Sequence, residues 1–519
     1  MSNDTPIIGI DLGTTNSVVS YTDDAGVTHV IADETGARVI PSVIHFTSDD
    51  AGVIVGAVAK GNVQLEPDRV ASVFKRGMGE PGHLPDGRAF DIDGKSYSPE
   101  ELSSYVLKKL AGIAEQHFGR PATRAVITVP AYFGDNERAA TKSAGEIAGL
   151  EVVKIINEPT AAAIAHGLDR ESREEGLLLV FDLGGGTFDV TVMRQGERGE
   201  MDVIATTGDK QLGGADFDEA IVQRMAKHVE DERGINILED PYQRANAYMD
   251  AEDIKKQLST SASVTKPIVV GGPPVKFELT RSEFETMLSE QFEYIEDCTR
   301  LALDKTAEQL GTEDVEISTA LMVGGSSRIP RCQALLKDIV GIEPISAKNL
   351  DEDVSRGAAM LGAKLGGDLD PRNELAAIPM PTDAASHALG ITTMGDDGEL
   401  YNHVVIPEST PVPHDVTELF SAVSDGQEVI EVKLNEGDDR NLTLVRELGS
   451  SVGRFARPVP RGYPIRIEVE YTADQLVVVN AFDGDTGAHM CELKVPRSGI
   501  LSDAEKDDAR KYLADVAVS

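Results

Sequence analysis

Two segments of the chain repeat one another: IIGIDLGTTNSVVSY at residues 7–21 and LLVFDLGGGTFDVTVM at residues 178–193. Each is an apolar strand, then Asp-Leu-Gly, then a bend of Gly and Thr, then a second β-branched strand, with Asp11 and Asp182 in equivalent places. The bends Gly13-Thr14-Thr15 and Gly184-Gly185-Gly186-Thr187 predict tight hairpins whose backbone can approach a ligand, because glycine has no Cβ and accepts positive φ. Successive amide N–H groups in such bends converge on an anion. Two of them face to face would clamp a polyphosphate, leaving the two acids to hold a metal ion through water. One glycine-rich bend alone also fits a β protein that binds nothing; the duplicated order of acid, glycine and hydroxyl favours the ligand.

Other nucleotide motifs fail. Gly94-Lys95-Ser96 looks like the end of a P-loop, yet Ala89 stands where glycine is required. Gly77 to Gly82 fits G-x-G-x-x-G, but His83-Leu84-Pro85-Asp86-Gly87 comes next, where a helix should begin. A third glycine-rich turn, with Gly324, Gly325, Ser326 and Arg328, leaves an apolar strand and enters a helix, a cradle suited to a nucleoside. Before it, Glu252, Lys255, Lys256 and Ser259 share helix faces by i+3 and i+4 spacing and suit an adenosine, although the same spacing describes a solvated face.

Outward from these motifs, the composition narrows the function. The 519 residues hold 49 Lys and Arg against 88 Asp and Glu, a net charge of −39 that repels phosphodiester backbones and anionic lipid headgroups. Nucleic-acid and membrane-surface binding are therefore disfavoured, and the expected partner is a protein or a small molecule. Hydrophobic residues make up 41%, enough for real cores. Cys298, Cys332 and Cys491 are too few and too far apart for a disulfide framework or a zinc site, so buried inert thiols in a reducing compartment are expected. Neither a signal peptide at Met1–Thr5 nor an apolar run of about 18 residues is present, which makes a cytoplasmic location the expectation.

Up to residue 367, short apolar strands such as Ala125–Val129 mix with amphipathic helices such as Pro241–Leu258, an α/β pattern. Residues 368–387 lose periodicity and gather Pro371, Pro379 and Pro381, as a linker does. Over 388–498 the rhythm becomes two: Ile465, Ile467, Val469 and Tyr471 alternate with charged residues, and with Val429–Leu434 and Leu476–Val479 they predict an antiparallel β module. Residues 499–519 hold a capping box, Ser502 with Glu505, and a helical stripe of Ala509, Tyr512, Leu513 and Val516.

Seven strings in order then carry a resemblance over nearly the whole chain: IGIDLGTTNS (8–17), VITVPAYF (126–133), INEPTAAAIAHGL (156–168), FDLGGGTFDVTV (181–192), QLGGADFD (211–218), MVGGSSRIP (322–330) and LDEDVSRGAA (350–359). The chain resembles the DnaK family, the 70-kDa heat-shock chaperones of the stress response. That implies an actin-like α/β ATPase domain of two duplicated lobes, followed by an antiparallel β-sandwich that binds peptides and a single C-terminal helix. The implied activity is slow ATP hydrolysis coupled to the holding of apolar segments of unfolded polypeptides. The implied cofactors are ATP/ADP and Mg2+, with K+ as a further ion; a J-domain co-chaperone and a nucleotide exchange factor are the implied partners.

Residue by residue, the resemblance assigns Gly13, Thr14, Thr15 and Asn16 to one phosphate loop and Gly184, Gly185 and Gly186 to the other, with Gly213 and Gly214 beside them. It makes Asp11 and Asp182 organisers of magnesium and its waters, assisted by Asp189. Lys75 is the implied catalytic lysine, Thr187 the contact to the γ-phosphate, and Glu158 the group that orients the attacking water. Glu252, Lys255, Lys256, Ser259, Gly324, Gly325, Ser326, Arg328 and Asp351 hold the nucleoside. Hydrolysis of a phosphoanhydride needs position and charge neutralisation, which Lys75 and a metal supply. Glu158, just before Pro159, sits at the positive end of a helix that favours its charged form. No arginine stands out as a finger, hence the slow turnover.

The sandwich carries its own matches, HALGITTM (387–394), LFSAVSDGQEVIEVKL (419–434) and RGYPIRIEVEY (461–471). They place Ile391, Met394, Phe420, Val423, Ile430 and Val432 at the peptide pocket, although each also suits the domain core. Three departures matter. Pro379-Met380-Pro381-Thr382-Asp383 replaces the family's leucine-rich linker, and because proline donates no β hydrogen bond the linker is not expected to dock on the ATPase. Only the first helix of the family's lid fits before Ser519, so a lidless variant with faster peptide escape is expected. The segment after Lys75 and the stretch around Pro273-Pro274 are shorter than usual, which bears on exchange-factor recognition. The rival readings are an actin-superfamily sugar kinase or filament former, which lacks a C-terminal β module, and a nucleotide-controlled scaffold with weakened coupling between domains.

Overall fold

The computed structural model describes residues 5–48, 52–80, 90–168, 175–197, 199–346, 349–367, 369–370, 372–395, 397–472, 477–494 and 501–519. Residues 81–89 of the decoy motifs, Leu476, and 495–500 at the predicted end of the β module lie outside the described residues.

The first hairpin is the seed of a sheet. Strand Ile8–Leu12 pairs antiparallel with Asn16–Thr22, Leu12 opposite Ser17, and its Ile8, Ile10 and Leu12 are buried. Thr28–Val30 extends the hairpin on one side; on the other, Arg124–Val129 and then Glu151–Asn157 run parallel to it. The second hairpin seeds the same arrangement again. Gly176–Leu183 pairs with Phe188–Gln195, Met201–Asp209 extends it antiparallel, and Ile317–Val323 and Ile345–Ser346 continue it in parallel. Both sheets share one strand order, the structural form of the repeat read in the sequence.

Each lobe closes its own core, the first around Ile10, Leu107, Ile127 and Phe133, the second around Phe181, Phe188, Phe217 and Leu321. Burial of each such side chain stabilises by roughly 1.5–3 kcal/mol. The seam between the lobes is made by helices Glu158–Leu168 and Asp353–Gly366. Their faces are built of small residues, so a Cβ on Gly357 would overlap the Ala161 carbonyl and one on Gly9 the Ala359 amide. Only glycine permits that approach. All three cysteines are free and buried, and burial pushes the Cys332 thiol up to about 12, which suppresses its thiolate.

The linker departs from expectation. Thr382 docks on the free edge of the second lobe's sheet, where it donates its N–H to Met201 O and accepts from Val203 N–H, both at 2.9 Å. Proline at 379 and 381 removes donors, but the pairing needs only the two backbone groups of Thr382. The next residue, Asp383, is buried and accepts from Thr160 Oγ1 at 3.0 Å and Asn157 Nδ2 at 3.2 Å in the first lobe.

Beyond the linker, two four-stranded antiparallel sheets pack face to face. One has the order 400–406, 389–394, 427–436, 446–459; the other has 414–421, 464–471, 477–483, 489–494. The alternating residues Ile465, Ile467 and Val469 meet Ile430, Val432 and Leu434 in the core between them. The last helix, Asp503–Asp515, starts on its predicted capping box, with Glu505 N–H donating to Ser502 Oγ at 3.3 Å. Its buried Ala509 and Leu513 join the core of the first lobe rather than that of the sandwich. No described helix is long and apolar enough to cross a membrane.

Candidate functional site

The two hairpin bends touch across the cleft between the lobes. A Cβ on Gly185 would overlap Thr15 Oγ1, and one on Gly186 would lie 2.6 Å from Thr14 Oγ1, so any side chain at either glycine would force the bends apart. Each bend is held from behind. Ser42 donates its hydroxyl to Gly13 O at 2.8 Å and its N–H to Thr15 O. Gly184 O accepts from Gly214 N–H at 3.0 Å and Ser326 Oγ at 2.8 Å, and Gly185 O accepts from Ala215 N–H at 2.8 Å. These carbonyls are thus bonded away from the facing bend, and within the second bend Gly184 N–H donates to Thr187 O at 3.0 Å.

Charge gathers beneath the bends. Lys75 is 2% exposed and donates to Glu158 Oε1 at 2.8 Å, across from the start of helix Glu158–Leu168. Burial, reinforced by the Glu158 charge, pushes the carboxyls of Asp11 and Asp189 up to about 8 and that of Asp182 well above its usual range. Asp189 Oδ1 accepts from Tyr132 N–H at 2.9 Å, while its Oδ2 is buried with no hydrogen-bond partner among the described residues. Buried acids of one sign with an open oxygen fit a cation, which would lower those pKa values again. Among the described residues no three His, Cys, Asp or Glu side chains lie close enough together to grip a metal directly.

The residues that the resemblance assigns to a nucleoside gather on the second lobe. Gly324, at φ +79°, takes a left-handed conformation, and a Cβ there would come within 2.5 Å of Asp182 Oδ1. Arg328 and Asp351 form a two-pronged ion pair at 3.1 and 2.7 Å. On helix Pro241–Leu258, Lys255 donates to Gly214 O at 2.6 Å and to Asp218 at 2.8 Å. Glu252 binds Lys256 at 2.6 Å and Lys60, from the first lobe, at 2.5 Å; against burial, these two cations bring its carboxyl down to about 2. Ser259 caps that helix at its C-terminus, and Asn16 is exposed at the mouth of the first bend.

Over residues 7–517 the chain matches the family described as Hsp70 protein. The chain belongs to the Hsp70 family. Chaperone protein DnaK of Thermotoga petrophila and that of Thermotoga maritima are each 37% identical to it over 520 residues, covering 98% of this chain and 83% of the relative. The corresponding protein of Thermotoga neapolitana is 36% identical over the same span. As an Hsp70 the chain is an ATP-hydrolysing chaperone, and the sugar-kinase and filament readings fall away with the presence of the sandwich.

In this Hsp70 the six candidate peptide residues separate into three groups. Ile391, Ile430 and Val432 are buried in the sandwich core, Phe420 is half-buried, and Met394 and Val423 are exposed. Leu419, 73% exposed, and Val452 add apolar surface that the sequence reading did not include. Sequence reasoning also missed residues that brace the lobes and the linker. Arg76 donates to Gly186 O at 2.8 Å and pairs with Asp216, so a guanidinium does reach the second bend but is committed to protein groups. Arg138 donates to Asn157 beside the docked Asp383. Tyr132, two residues after Pro130, stacks edge-on against His387 at 4.5 Å, and Ser386 donates to Ala131 O at 2.7 Å. The only local signal for these was their place in or beside a matched motif; the partners of Arg76, Tyr132 and Ala131 lie in another lobe or beyond the linker, while Arg138 meets Asn157 within the first lobe.

Proposed function

We propose that this Hsp70 binds the triphosphate of ATP between its paired bends and uses the cycle of hydrolysis to hold and release extended apolar segments of unfolded polypeptides. The observation that carries the reading is the contact of Thr14 and Thr15 with Gly185 and Gly186 above Lys75 and Glu158. The bend amides of 13–16 and 185–187 receive phosphate oxygens, with Gly184 holding the second bend closed through Thr187 O and Thr187 at the γ-phosphate. Lys75 neutralises charge that builds on the transferring group, and Glu158, held in place by Lys75, orients the attacking water. Asp11, Asp182 and Asp189 would hold Mg2+ through its waters; that ion supplies further neutralisation of the phosphates. Gly324, Gly325, Ser326, Arg328 and Asp351 face helix residues Glu252, Lys255, Lys256 and Ser259 as the nucleoside clasp, with Gly213 and Gly214 closing on the phosphates. The reading divides the chain into an ATPase unit at 1–367, a linker at 368–387, a sandwich at 388–498 and a terminal segment at 499–519. Free, buried cysteines support a cytoplasmic setting, and the exposed sandwich surface at Met394, Leu419 and Val423 supports peptide contact there. A J-domain co-chaperone and an exchange factor complete the proposed cycle, with K+ as a second ion. Titration calorimetry tests the core of it: ADP should bind with 1:1 stoichiometry in Mg2+ and at least about tenfold more weakly in chelator. Equal affinity in both refutes the assignment of the acids.

A further inference from the structure

The small sheet of the first lobe has Ile44–Phe46 at its centre, flanked by Val70–Ala71 and by Val53–Val55, whose outer edge would be open. That edge is filled. Val53 N–H donates to Ala517 O at 3.0 Å, Ser519 N–H donates to Val53 O at 3.0 Å, and Val55 N–H donates to Ser519 O at 2.9 Å, a parallel ladder. We propose that the edge of Val53–Val55 is a strand-addition site whose occupant is this chain's own segment 517–519, and that it fastens helix 503–515 to the ATPase lobe as a latch. An extended segment gains its affinity there from main-chain hydrogen bonds, and the lobe gains a covered edge.

The site is shaped for the tail. Gly52 has φ +113°, and a Cβ on it would come within 2.5 Å of Ala517 O, so a side chain at this position would both strain the backbone and obstruct the ladder. Lys108, on helix Pro99–Phe118, donates to the carbonyls of Leu513 and, at 3.1 Å, Val516, which places a cation at the negative end of the terminal helix. Lys506 is 8% exposed and pairs with Glu146 of helix Asp135–Ile147 at 3.2 Å. Tyr512 hydroxyl lies 3.3 Å from that of Tyr97, with Lys95 Nζ 4.0 Å from the centre of the Tyr512 ring. Val516 and Val518 pack against the same core that Ala509 and Leu513 enter. Two helices, a hairpin and a sheet edge of the first lobe therefore all grip residues 506–519. The helix that the family resemblance assigns to the peptide lid is thus committed to the ATPase by contacts that do not involve the nucleotide site.

Hydrogen exchange read by mass spectrometry on the full chain tests the latch. A double variant, Val518→Asp with Ser519→Pro, alters only the tail and leaves the lobe's own residues intact. The Val53 and Val55 amides should be protected in the wild-type chain and exchange about 10- to 100-fold faster in the variant, with the terminal helix losing protection alongside. The dissociation rate of a labelled apolar peptide from the sandwich should stay within about twofold. Equal exchange at Val53 and Val55 in both proteins overturns the proposal. So does protection that rises with protein concentration, which would put another copy's tail in the site, and so does an about tenfold faster peptide release in the variant, which would return the helix to the sandwich.

Discussion

The two lobes share a sheet order and a hairpin, yet they are not equivalent around the cleft. Where the second hairpin sets Asp182 opposite Asp189, the first sets Asp11 opposite Val18. Past the hairpins the lobes differ more: the first contributes the pair Lys75 and Glu158, the second contributes the turn at 324–328 and the helix Pro241–Leu258. The two bends are alike, while in the proposed reading the first lobe supplies the charge chemistry and the second the nucleoside clasp. The difference teaches that substitutions on the two sides should separate turnover from affinity.

The sharpest break is on the first lobe. Lys75→Ala should slow single-turnover hydrolysis about 10²- to 10³-fold while ADP affinity shifts less than about threefold. A loss of affinity as large as the loss of rate would dissolve the division of labour. The next test concerns a first-lobe charge that serves neither role. Glu100 is fully buried, and burial pushes its carboxyl from 4.5 up to about 7, with Lys506 pulling weakly the other way. The folded state holds that proton more tightly than the unfolded chain, so the cost is absent below about pH 4.5 and complete above about pH 7. Glu100→Gln should therefore raise stability by at most about 3 kcal/mol at pH 8 and by nothing measurable near pH 4.5, as seen in denaturant midpoints. A pH-independent gain would mean that packing, not ionisation, governs the site.

Arg76→Ala probes the join between lobes, since its guanidinium braces Gly186 and Asp216 from the opposite side of the cleft. Hydrolysis should fall about tenfold, with rescue in part by Arg76→Lys; no rescue and no change in rate would leave it a surface pair. On the second lobe, Arg328→Ala should weaken nucleotide binding about fivefold in calorimetry and leave the saturated single-turnover rate unchanged. A rate effect there would blur the contrast between lobes.

Local features of this architecture could be read from the residues alone. Strand alternation around Ile465 to Tyr471, the helix Pro241–Leu258 and the two Asp-Leu-Gly bends are set by spacing within a few residues, and they stand where the sequence places them. Contacts between lobes are of another kind. Nothing near Arg76 names Asp216, and nothing near Lys60 names Glu252, because those partners are brought together only by the fold. The linker escapes a sequence reading for a related reason: counting the donors that proline removes ignores that Thr382 keeps both of its own backbone groups. The stripe of Ala509 and Leu513 announces that the last helix packs, but amphipathicity does not say against what.

Thr382 is tied to the sheet of one lobe, and Asp383, one peptide bond later, to the helix of the other, two residues past Glu158. A single peptide unit therefore straddles the hinge line. Shear of one lobe over its neighbour cannot keep both anchorages, so whichever bond yields first decides whether the tether to the sandwich leaves with the sheet or with the helix that begins at Glu158.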